Sequence, residues 1–290
     1  ARRWAYDVKG VAPDQALILV AQQNFHGRTS TIASFSSDPD SYGGFGPAMP
    51  GFQIIPYNDL LALEQALANP NVAAFLVEPI QGEAGVIVPD NGYLKAAHEL
   101  CKRYNVLLIA DEIQTGLSRT GKLLASDYDD VRPDILMLGK ALSGGVMPIS
   151  AVLCDDDIMD TIKPGEHGST FGGNPLACVV AMAALDVLRD QNLADNAYQM
   201  GQLFRSELEK INSPFISIVR GKGLLNAIEV THQNANAAWD FCLVLKENGL
   251  LAKPTHGNKI RFAPPLIITR DQILESITII QKSLNEFLGV

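Results

Sequence analysis

A lysine and an aspartate follow two apolar runs of the sequence, each where its run ends. Residues 135–138 read ILML, and Lys140 comes two positions later, after a glycine and before a segment of small residues. Residues 106–110 read VLLIA and are followed at once by Asp111. Short continuous apolar runs are typical of buried strands in a parallel sheet. We therefore expect both ionisable side chains at the ends of buried strands.

These two residue types together suggest a particular chemistry. Burial disfavours the ammonium form of a lysine such as Lys140 and lowers its pKa, and a neutral amine attacks an aldehyde to form a Schiff base. A carboxylate such as Asp111 can keep a pyridine nitrogen protonated, and open α/β sheets bind ligands at the strand ends. Pyridoxal 5'-phosphate (PLP) requires both groups. The residues alone leave open a solvated lysine in a turn and an aspartate that only caps its strand.

Six short motifs give the sequence its resemblance to a known family. The class III PLP-dependent aminotransferases have motifs similar to EPIQGE at 78–83, DEIQTG at 111–116 and GKALSGG at 139–145. Within that family, the ornithine aminotransferases have motifs similar to FHGRT at 25–29, HGSTFGGNP at 167–175 and KPTHGNKIRFAPP at 253–265. The six motifs occur in the family's order, and the resemblance runs over essentially the whole chain.

The resemblance implies the PLP-dependent transferase fold type I. This is an α/β fold, with a mainly parallel sheet in a large domain and a smaller α+β domain at the C-terminus. We expect the large, PLP-binding domain at residues 1–192 and the small domain at residues 193–290, where the predicted strands no longer connect by parallel crossovers. Family members carry a further N-terminal region, so we expect this sequence to be roughly the C-terminal two thirds of the fold.

The resemblance also assigns roles around the cofactor. It implies that Lys140 carries PLP and moves a proton, that Asp111 keeps the pyridine nitrogen protonated, and that Gln114 donates to the phenolate oxygen. Phe25 is expected to stack on the cofactor ring and His26 to shape the same loop. Without the resemblance, a phenylalanine at a strand exit is usually a core residue.

A serine–threonine pair precedes the longest apolar helix of the sequence. Ser169 and Thr170 lie beside glycines ahead of a predicted helix start, where hydroxyl and N–H groups suit a phosphate; the alternative is simple helix capping. The resemblance implies that both residues contact the cofactor, and that Thr170 reaches the phosphate of a neighbouring subunit. A homodimer is therefore expected.

Three charged residues are expected to bind the substrates. The resemblance implies that Arg28 binds a substrate carboxylate and that Arg261 receives the α-carboxylate of glutamate or 2-oxoglutarate. Glu83 would neutralise Arg261 while the other substrate, ornithine, is bound. Alone, the three residues are equally consistent with surface arginines and a solvated loop carboxylate.

The expected reaction transfers the δ-amino group of ornithine to 2-oxoglutarate. The products would be glutamate and glutamate semialdehyde, which cyclises to pyrroline-5-carboxylate. Acetylornithine or 4-aminobutyrate could be the amine donor instead, and a non-catalytic relative is a further alternative. A dinucleotide-dependent dehydrogenase is disfavoured because no GxGxxG motif follows a strand.

The amino-acid composition limits which binding partners and which cellular compartment we expect for this protein. The 290 residues are 47% apolar and carry a net charge of −9, which indicates a globular protein and argues against nucleic acid or an anionic membrane as partner. No apolar run approaches the ~20 residues of a membrane span, and the five histidines have no metal-site spacing. Four cysteines in apolar segments are predicted to be buried free thiols. We therefore expect the protein to be located in a reducing compartment, either the cytoplasm or the mitochondrial matrix.

Overall fold

The computed structural model of the protein describes residues 1–289. The chain divides into two compact units. The first unit comprises Ala1–Pro79, Pro89–Gln114 and Ser126–Leu185, and the second comprises Ile80–Val88, Thr115–Ala125 and Asp186–Val290. The predicted domain boundary after residue 192 stays a prediction.

The first unit is built on one six-stranded sheet. Its strands are β1 Leu17–Ala21, β2 Phe52–Ile55, β3 Val72–Val77, β4 Leu107–Asp111, β5 Ile135–Leu138 and β6 Ala151–Cys154. The spatial order is β2-β1-β3-β4-β5-β6, and every neighbouring pair is parallel except β5 with β6. This confirms the predicted mainly parallel α/β sheet.

Helices connect these strands. They are α1 Arg2–Trp4, α2 Ser30–Ala33, α3 Pro39–Tyr42, α4 Leu60–Leu67, α5 Tyr93–Arg103, α6 Asp156–Met159 and α7 Pro175–Asp190. A π-helical segment, Ala5–Lys9, and two 3₁₀ segments, Ala125–Tyr128 and Lys140–Ser143, complete the regular structure up to residue 190. Residues 36–51 are rich in Gly, Pro, Ser and Asp and predict a long irregular loop, but this stretch contains one short helix, α3.

The central strands are buried on both faces, which explains why they read as unbroken apolar runs. In β3, all six residues are buried. Phe75 lies in the cluster with Leu108, whereas Leu76 lies in the opposite cluster with Ile109. Successive side chains of a strand alternate between faces, so polar residues fit only where the strands end.

The second unit contains a four-stranded antiparallel sheet of order β7-β8-β10-β9. The strands are β7 Ile216–Lys222, β8 Leu225–Val230, β9 Lys253–Thr255 and β10 Lys259–Phe262. Three helices, α8 Leu193–Glu209, α9 Ala237–Glu247 and α10 Arg270–Leu288, contribute buried side chains to its core, among them Phe204, Phe241 and Ile280. No strand pair is parallel in the described part of this sheet.

Three local predictions need correction. Residues 220–222 are predicted from the sequence to link two strands, but β7 continues through Lys222, which pairs with Leu225. Asp271 is predicted from the sequence to cap the last helix, but α10 is capped by Thr269, because Thr269 and Gln272 form a reciprocal capping box. Strand β2 was not predicted.

The four cysteines are free thiols. Cys101 and Cys242 are buried as predicted, but Cys154 and Cys178 are only half-buried. Among the described residues, no helix has both the length and the apolar character that crossing a bilayer requires. The same described residues contain no group of histidine, cysteine, aspartate and glutamate side chains that could hold a metal ion.

Candidate active site

Candidate residues of the first unit lie at the carboxyl ends of adjacent parallel strands. Asp111 is the last residue of β4, and Lys140 begins the segment that follows β5. These strands are hydrogen-bonded neighbours, with Asp111 opposite Met137. Lys140 lies three residues beyond Met137, so its Cα is at most about 10 Å further along the strand direction. The acid and the amine therefore share one edge of the sheet.

Asp111 and His26 form a buried pair at this edge. The His26 Nδ1 lies 2.7 Å from Asp111 Oδ2, and the two side chains are 0% and 4% exposed. The backbone N–H of Ile113 donates to the other oxygen, Oδ1, at 3.0 Å. Both carboxylate oxygens thus have a partner, which fixes the direction of the carboxylate. The His26 Nε2 is buried and has no hydrogen-bond partner among the described residues.

Lys140 differs from its prediction in burial. Its side chain is exposed rather than buried, so the desolvation argued from the sequence has no support here. Its backbone φ is +41°, in the left-handed region that non-glycine residues rarely adopt. Before it, a Cβ on Gly139 would lie 3.3 Å from Ile113 Cγ2, so the strand exit packs tightly on the segment after Asp111. Strained backbone of this kind clusters at functional sites.

The segment after β1 is anchored by a buried glutamate that the sequence did not single out. The Phe25 N–H donates to Glu78 Oε2 at 3.0 Å, and Glu78 is 6% exposed. Tyr57 Oη donates to the carbonyls of Glu78 and Pro79 at 3.2 and 3.0 Å. Burial holds the pKa of Tyr57 well above its ordinary value, so the hydroxyl stays a donor. A Glu-Pro pair at the end of a buried strand was the available signal.

The other predicted cofactor and substrate residues of this unit are more exposed. Gln114 is half-buried, three residues after Asp111. Arg28 is exposed, and its Cζ lies 5.5 Å from the centroid of the half-buried Phe25 ring. Ser169 and Thr170 lie in an exposed loop, where Ser169 Oγ accepts the Gly172 N–H at 3.0 Å. Within residues 1–289, the Thr170 side chain makes no hydrogen bond.

The second unit brings Glu83 and Arg261 into direct contact. Arg261 Nη1 lies 2.6 Å from Glu83 Oε1, and the side chains are 12% and 17% exposed. The sequence predicted that these residues pair, and this ion pair is present. Because both groups are largely shielded from water, neither charge is easily left without a partner.

Two further cations near this pair were missed by the sequence reasoning. Lys253 Nζ lies 2.8 Å from the second oxygen of Glu83, Oε2. The Arg119 Nη1 donates to the carbonyls of Leu224 and Pro264 at 3.0 and 2.6 Å. Burial, and secondarily the charge of Arg261, lower the pKa of Arg119 to about 10, so it stays charged at neutral pH. The tertiary fold assembles this cluster from distant segments, and no local pattern marks it.

Comparison with known proteins shows which family this chain resembles. The sequence profile of the family Aminotransferase class-III matches residues 1–284. The mitochondrial ornithine aminotransferase of Rattus norvegicus is 63% identical over 287 residues, which cover 99% of this chain. The same alignment covers 65% of the rat protein, so this chain spans slightly less than two thirds of that relative's length.

Two solved structures share the fold. An ornithine aminotransferase from Toxoplasma gondii, described as having partial occupancy of PLP at the active site, gives a TM-score of 0.94 at 56% identity; the match covers 100% of this chain and 68% of that one. An acetylornithine aminotransferase from Elizabethkingia anophelis gives 0.88 at 61% identity, covering 98% and 71%. With the profile match over nearly its whole length, this chain belongs to the class III aminotransferases.

Proposed function

We propose that this protein is a PLP-dependent aminotransferase that transfers the δ-amino group of ornithine to 2-oxoglutarate. The products are glutamate and glutamate semialdehyde, which cyclises to pyrroline-5-carboxylate. The observation that carries the proposal is the buried Asp111–His26 pair at the end of β4, beside the strand whose end leads to Lys140. Membership of the class III family and 63% identity to the rat ornithine aminotransferase support it.

The residues at the sheet edge fit PLP. A buried carboxylate suits the pyridine nitrogen, an exposed amine suits the aldehyde, and the half-buried Phe25 offers a ring face. A PLP site is also described for the Toxoplasma gondii relative. When bound, PLP supplies an electron sink for the carbon next to the reacting amine. Gln114, Ser169 and Thr170 are assigned to its phenolate oxygen and phosphate.

The residues at this edge of the sheet are assigned separate roles in the reaction. Lys140 would hold the cofactor through its amine. The same amine would act as general base and acid on the substrate carbon that bears the reacting nitrogen. The Asp111 carboxylate would hold the pyridine nitrogen in its protonated form, which would stabilise negative charge as it develops. The His26 contact holds Asp111 in that role.

The pair Glu83–Arg261 allows one site to accept two differently charged substrates. With ornithine bound, Glu83 remains on Arg261 and cancels its charge. With 2-oxoglutarate bound, Arg261 takes the α-carboxylate as a planar, two-pronged donor. Arg28 is assigned to the remaining substrate carboxylate; its exposure leaves its guanidinium accessible.

The site is completed by a second subunit. Thr170 is exposed and makes no hydrogen bond within residues 1–289, as a residue that serves a neighbouring chain would be. The proposal is tested by co-expressing Lys140→Ala and Thr170→Ala subunits with different tags. Mixed dimers contain one site with both residues intact only if Thr170 acts across the interface. We expect that site to bind PLP with wild-type affinity; weakened affinity at every site would contradict the arrangement.

The activity itself is tested on the complete, PLP-incubated protein. Lys140→Ala should lose the absorbance of the lysine-bound cofactor and all turnover, whereas the exposed Lys163→Ala should keep both. The kcat/KM for ornithine should exceed that for acetylornithine and 4-aminobutyrate by at least about 10-fold, or about 1.4 kcal/mol. Preference for acetylornithine would support the second candidate, which the 61% identity to the Elizabethkingia anophelis enzyme favours. A protein that stays colourless with PLP would be a non-catalytic relative.

We further infer a location in the mitochondrial matrix or the cytoplasm. The rat relative is named as mitochondrial, and four free thiols suit a reducing compartment. Cell fractionation with an antibody against the protein tests this. Recovery with secreted proteins would contradict it.

A further inference from the structure

Lys253 and Arg261 are directly opposed on adjacent antiparallel strands. The register of β9 and β10 pairs Arg261 with Lys253. Opposed residues of an antiparallel pair project to the same face of the sheet, and like charges there are destabilising. The Glu83 carboxylate forms an ion pair with each of them. Its Oε1 lies 2.6 Å from Arg261 Nη1, and its Oε2 lies 2.8 Å from Lys253 Nζ. Its carboxylate therefore bridges two cations.

The backbone that carries Glu83 is held independently of its carboxylate. Thr255 Oγ1 donates to the Glu83 carbonyl at 2.6 Å. Arg220 Nε donates to the Gly85 and Val86 carbonyls at 2.9 and 3.1 Å. Gly85 has a φ of +103°, and a Cβ there would lie 2.2 Å from Lys259 Cδ, so the turn fits closely. Breaking the contact with Arg261 therefore needs only a rotation of the Glu83 side chain.

The two ion pairs of Glu83 are not equivalent. Arg261 is 12% exposed and Glu83 is 17% exposed, whereas Lys253 is 57% exposed. If Lys253 were absent, releasing Arg261 would remove both of these counter-charges from a largely buried carboxylate, which is strongly unfavourable. Lys253 on the other oxygen supplies one of these counter-charges, and its exposed, flexible stem can follow a small movement of Glu83.

We propose that Lys253 is a positioning residue that retains Glu83 when a dicarboxylate takes Arg261, and so sets the balance between dicarboxylate and diamine substrates. This rests on the proposed function for the assignment of Arg261 to a substrate carboxylate. Arg119 is a poor substitute for Lys253, because its Nη1 donates to two backbone carbonyls, which fix the guanidinium in place.

The test replaces Lys253 in the complete, PLP-loaded protein. In Lys253→Met, Glu83 depends more on Arg261, so the KM for 2-oxoglutarate should rise about 2- to 5-fold, the upper range for an exposed ion pair. The KM for ornithine and both kcat values should change less than about 2-fold. Lys253→Arg should restore the KM for 2-oxoglutarate, and Lys246→Met, an exposed lysine of α9, should leave every constant unchanged.

A second variant separates action through Glu83 from direct substrate contact. In a Glu83→Gln background there is no carboxylate to retain, so Lys253→Met should have no further effect on 2-oxoglutarate. The Kd of glutarate, an unreactive dicarboxylate, should follow the same pattern by calorimetry without any turnover. A Lys253→Met effect that persists in Glu83→Gln, or that affects both substrates equally, would overturn the proposal.

Failure of the proposed function is distinguishable from failure of this inference. If another amine donor replaces ornithine, the proposed reaction is wrong, but glutarate binding and the 2-oxoglutarate half-reaction still report on Lys253. If ornithine and 2-oxoglutarate both react and Lys253→Met leaves their KM values unchanged, the reaction stands and the role of Lys253 is refuted. Absence of glutarate binding to the wild-type protein would overturn the inference together with the assignment of Arg261.

Discussion

At the scale of single residues, both candidate carboxylates are held at both oxygens, but by different kinds of partner. Asp111 is bonded by a partly buried backbone N–H and a buried imidazole. Glu83 is bonded by one largely buried arginine and one exposed lysine. Fixed donors suit a group that keeps one orientation, which the role proposed for Asp111 requires. An exposed, flexible donor suits a group that exchanges partners, which the role proposed for Glu83 requires.

The contact between His26 and Asp111 gives the first prediction. Replacing His26 with phenylalanine removes a hydrogen bond to a buried charged group, which contributes about 1.5–3 kcal/mol. We expect kcat/KM to fall about 10- to 100-fold, with a weaker affinity for PLP. His26→Asn keeps an N–H donor and should lose less than about 10-fold. Half-reaction kinetics measure both variants; equal losses in the two would show that His26 acts only through packing.

The buried thiol of Cys101 gives a pH dependence of stability. Burial raises the pKa of Cys101 to about 12, whereas an unfolded thiol titrates near about 8.5. Between these values the folded state keeps a proton that the unfolded state has lost, so the contribution is complete below about pH 8.5 and is lost as the pH rises towards 12. At pH 10 the loss is about 2 kcal/mol.

Denaturant titrations at pH 8 and pH 10 measure this effect. From pH 8 to pH 10, the free energy of unfolding of Cys101→Ala should fall by about 2 kcal/mol less than that of the wild type. Cys178→Ala, at a half-buried position, should behave like the wild type. In the folded protein at pH 8, Cys101 should also resist thiol-labelling reagents. Rapid labelling of Cys101 without unfolding would contradict its burial.

At the scale of elements, the sequence predicts the interior strands well and misses one edge strand. Strands β4 and β5 match the predicted runs within about one residue, because burial on both faces demands unbroken apolar sequence. Strand β2 was missed because it is an edge strand, with Gln53 and Ile54 exposed. An edge strand has no such demand, so its sequence carries a weaker signal.

Tertiary contacts explain what remained unpredictable in the candidate site. The sequence with its family resemblance predicted that Glu83 and Arg261 pair, but not that Lys253 holds the other carboxylate oxygen, since that contact depends on the register of β9 and β10. It predicted His26 only as a loop residue, because nothing local links it to Asp111, 85 positions away. It predicted burial of Lys140 from apolar neighbours, whereas the left-handed turn exposes the side chain.

The start of α10 gives a prediction at this scale. Thr269 Oγ1 accepts the Gln272 N–H at 3.3 Å, and Gln272 Oε1 accepts the Thr269 N–H at 2.9 Å. Thr269→Ala should lower the opening free energy of the first turn by about 1 kcal/mol. Thr269→Ser keeps the acceptor and should change it little. Asp271→Ala removes only a charge at the positive helix end, about 0.3 kcal/mol. Hydrogen exchange of the α10 amides measures this opening free energy in all three variants. A larger decrease for Asp271→Ala than for Thr269→Ala would show that Asp271 caps the helix.

At the scale of the whole molecule, helix α7 buries small side chains and exposes large apolar ones, the reverse of the usual pattern. Its buried residues, Ala177 and Ala181, are small, and Ala184 faces the close turn at Gly144. Its outward residues Leu176, Val179 and Met182 are large, apolar and more than 60% exposed. A helix that is apolar all round is normally buried. An apolar surface of this kind, next to the exposed Thr170 loop, is typical of an interface.

We therefore expect the outward face of α7 to lie in the interface of the proposed homodimer. Val179→Lys together with Met182→Lys places two like charges in that interface, where an unpaired buried charge costs several kcal/mol. Sedimentation should show monomers for this variant and dimers for the wild type. Because Thr170 would then lose its target, PLP affinity should fall with dissociation, and both should recover together at high protein concentration. Leu61→Lys, at an equally exposed apolar position on α4, should remain dimeric. A charged α7 face that leaves the dimer intact would exclude this face from the interface.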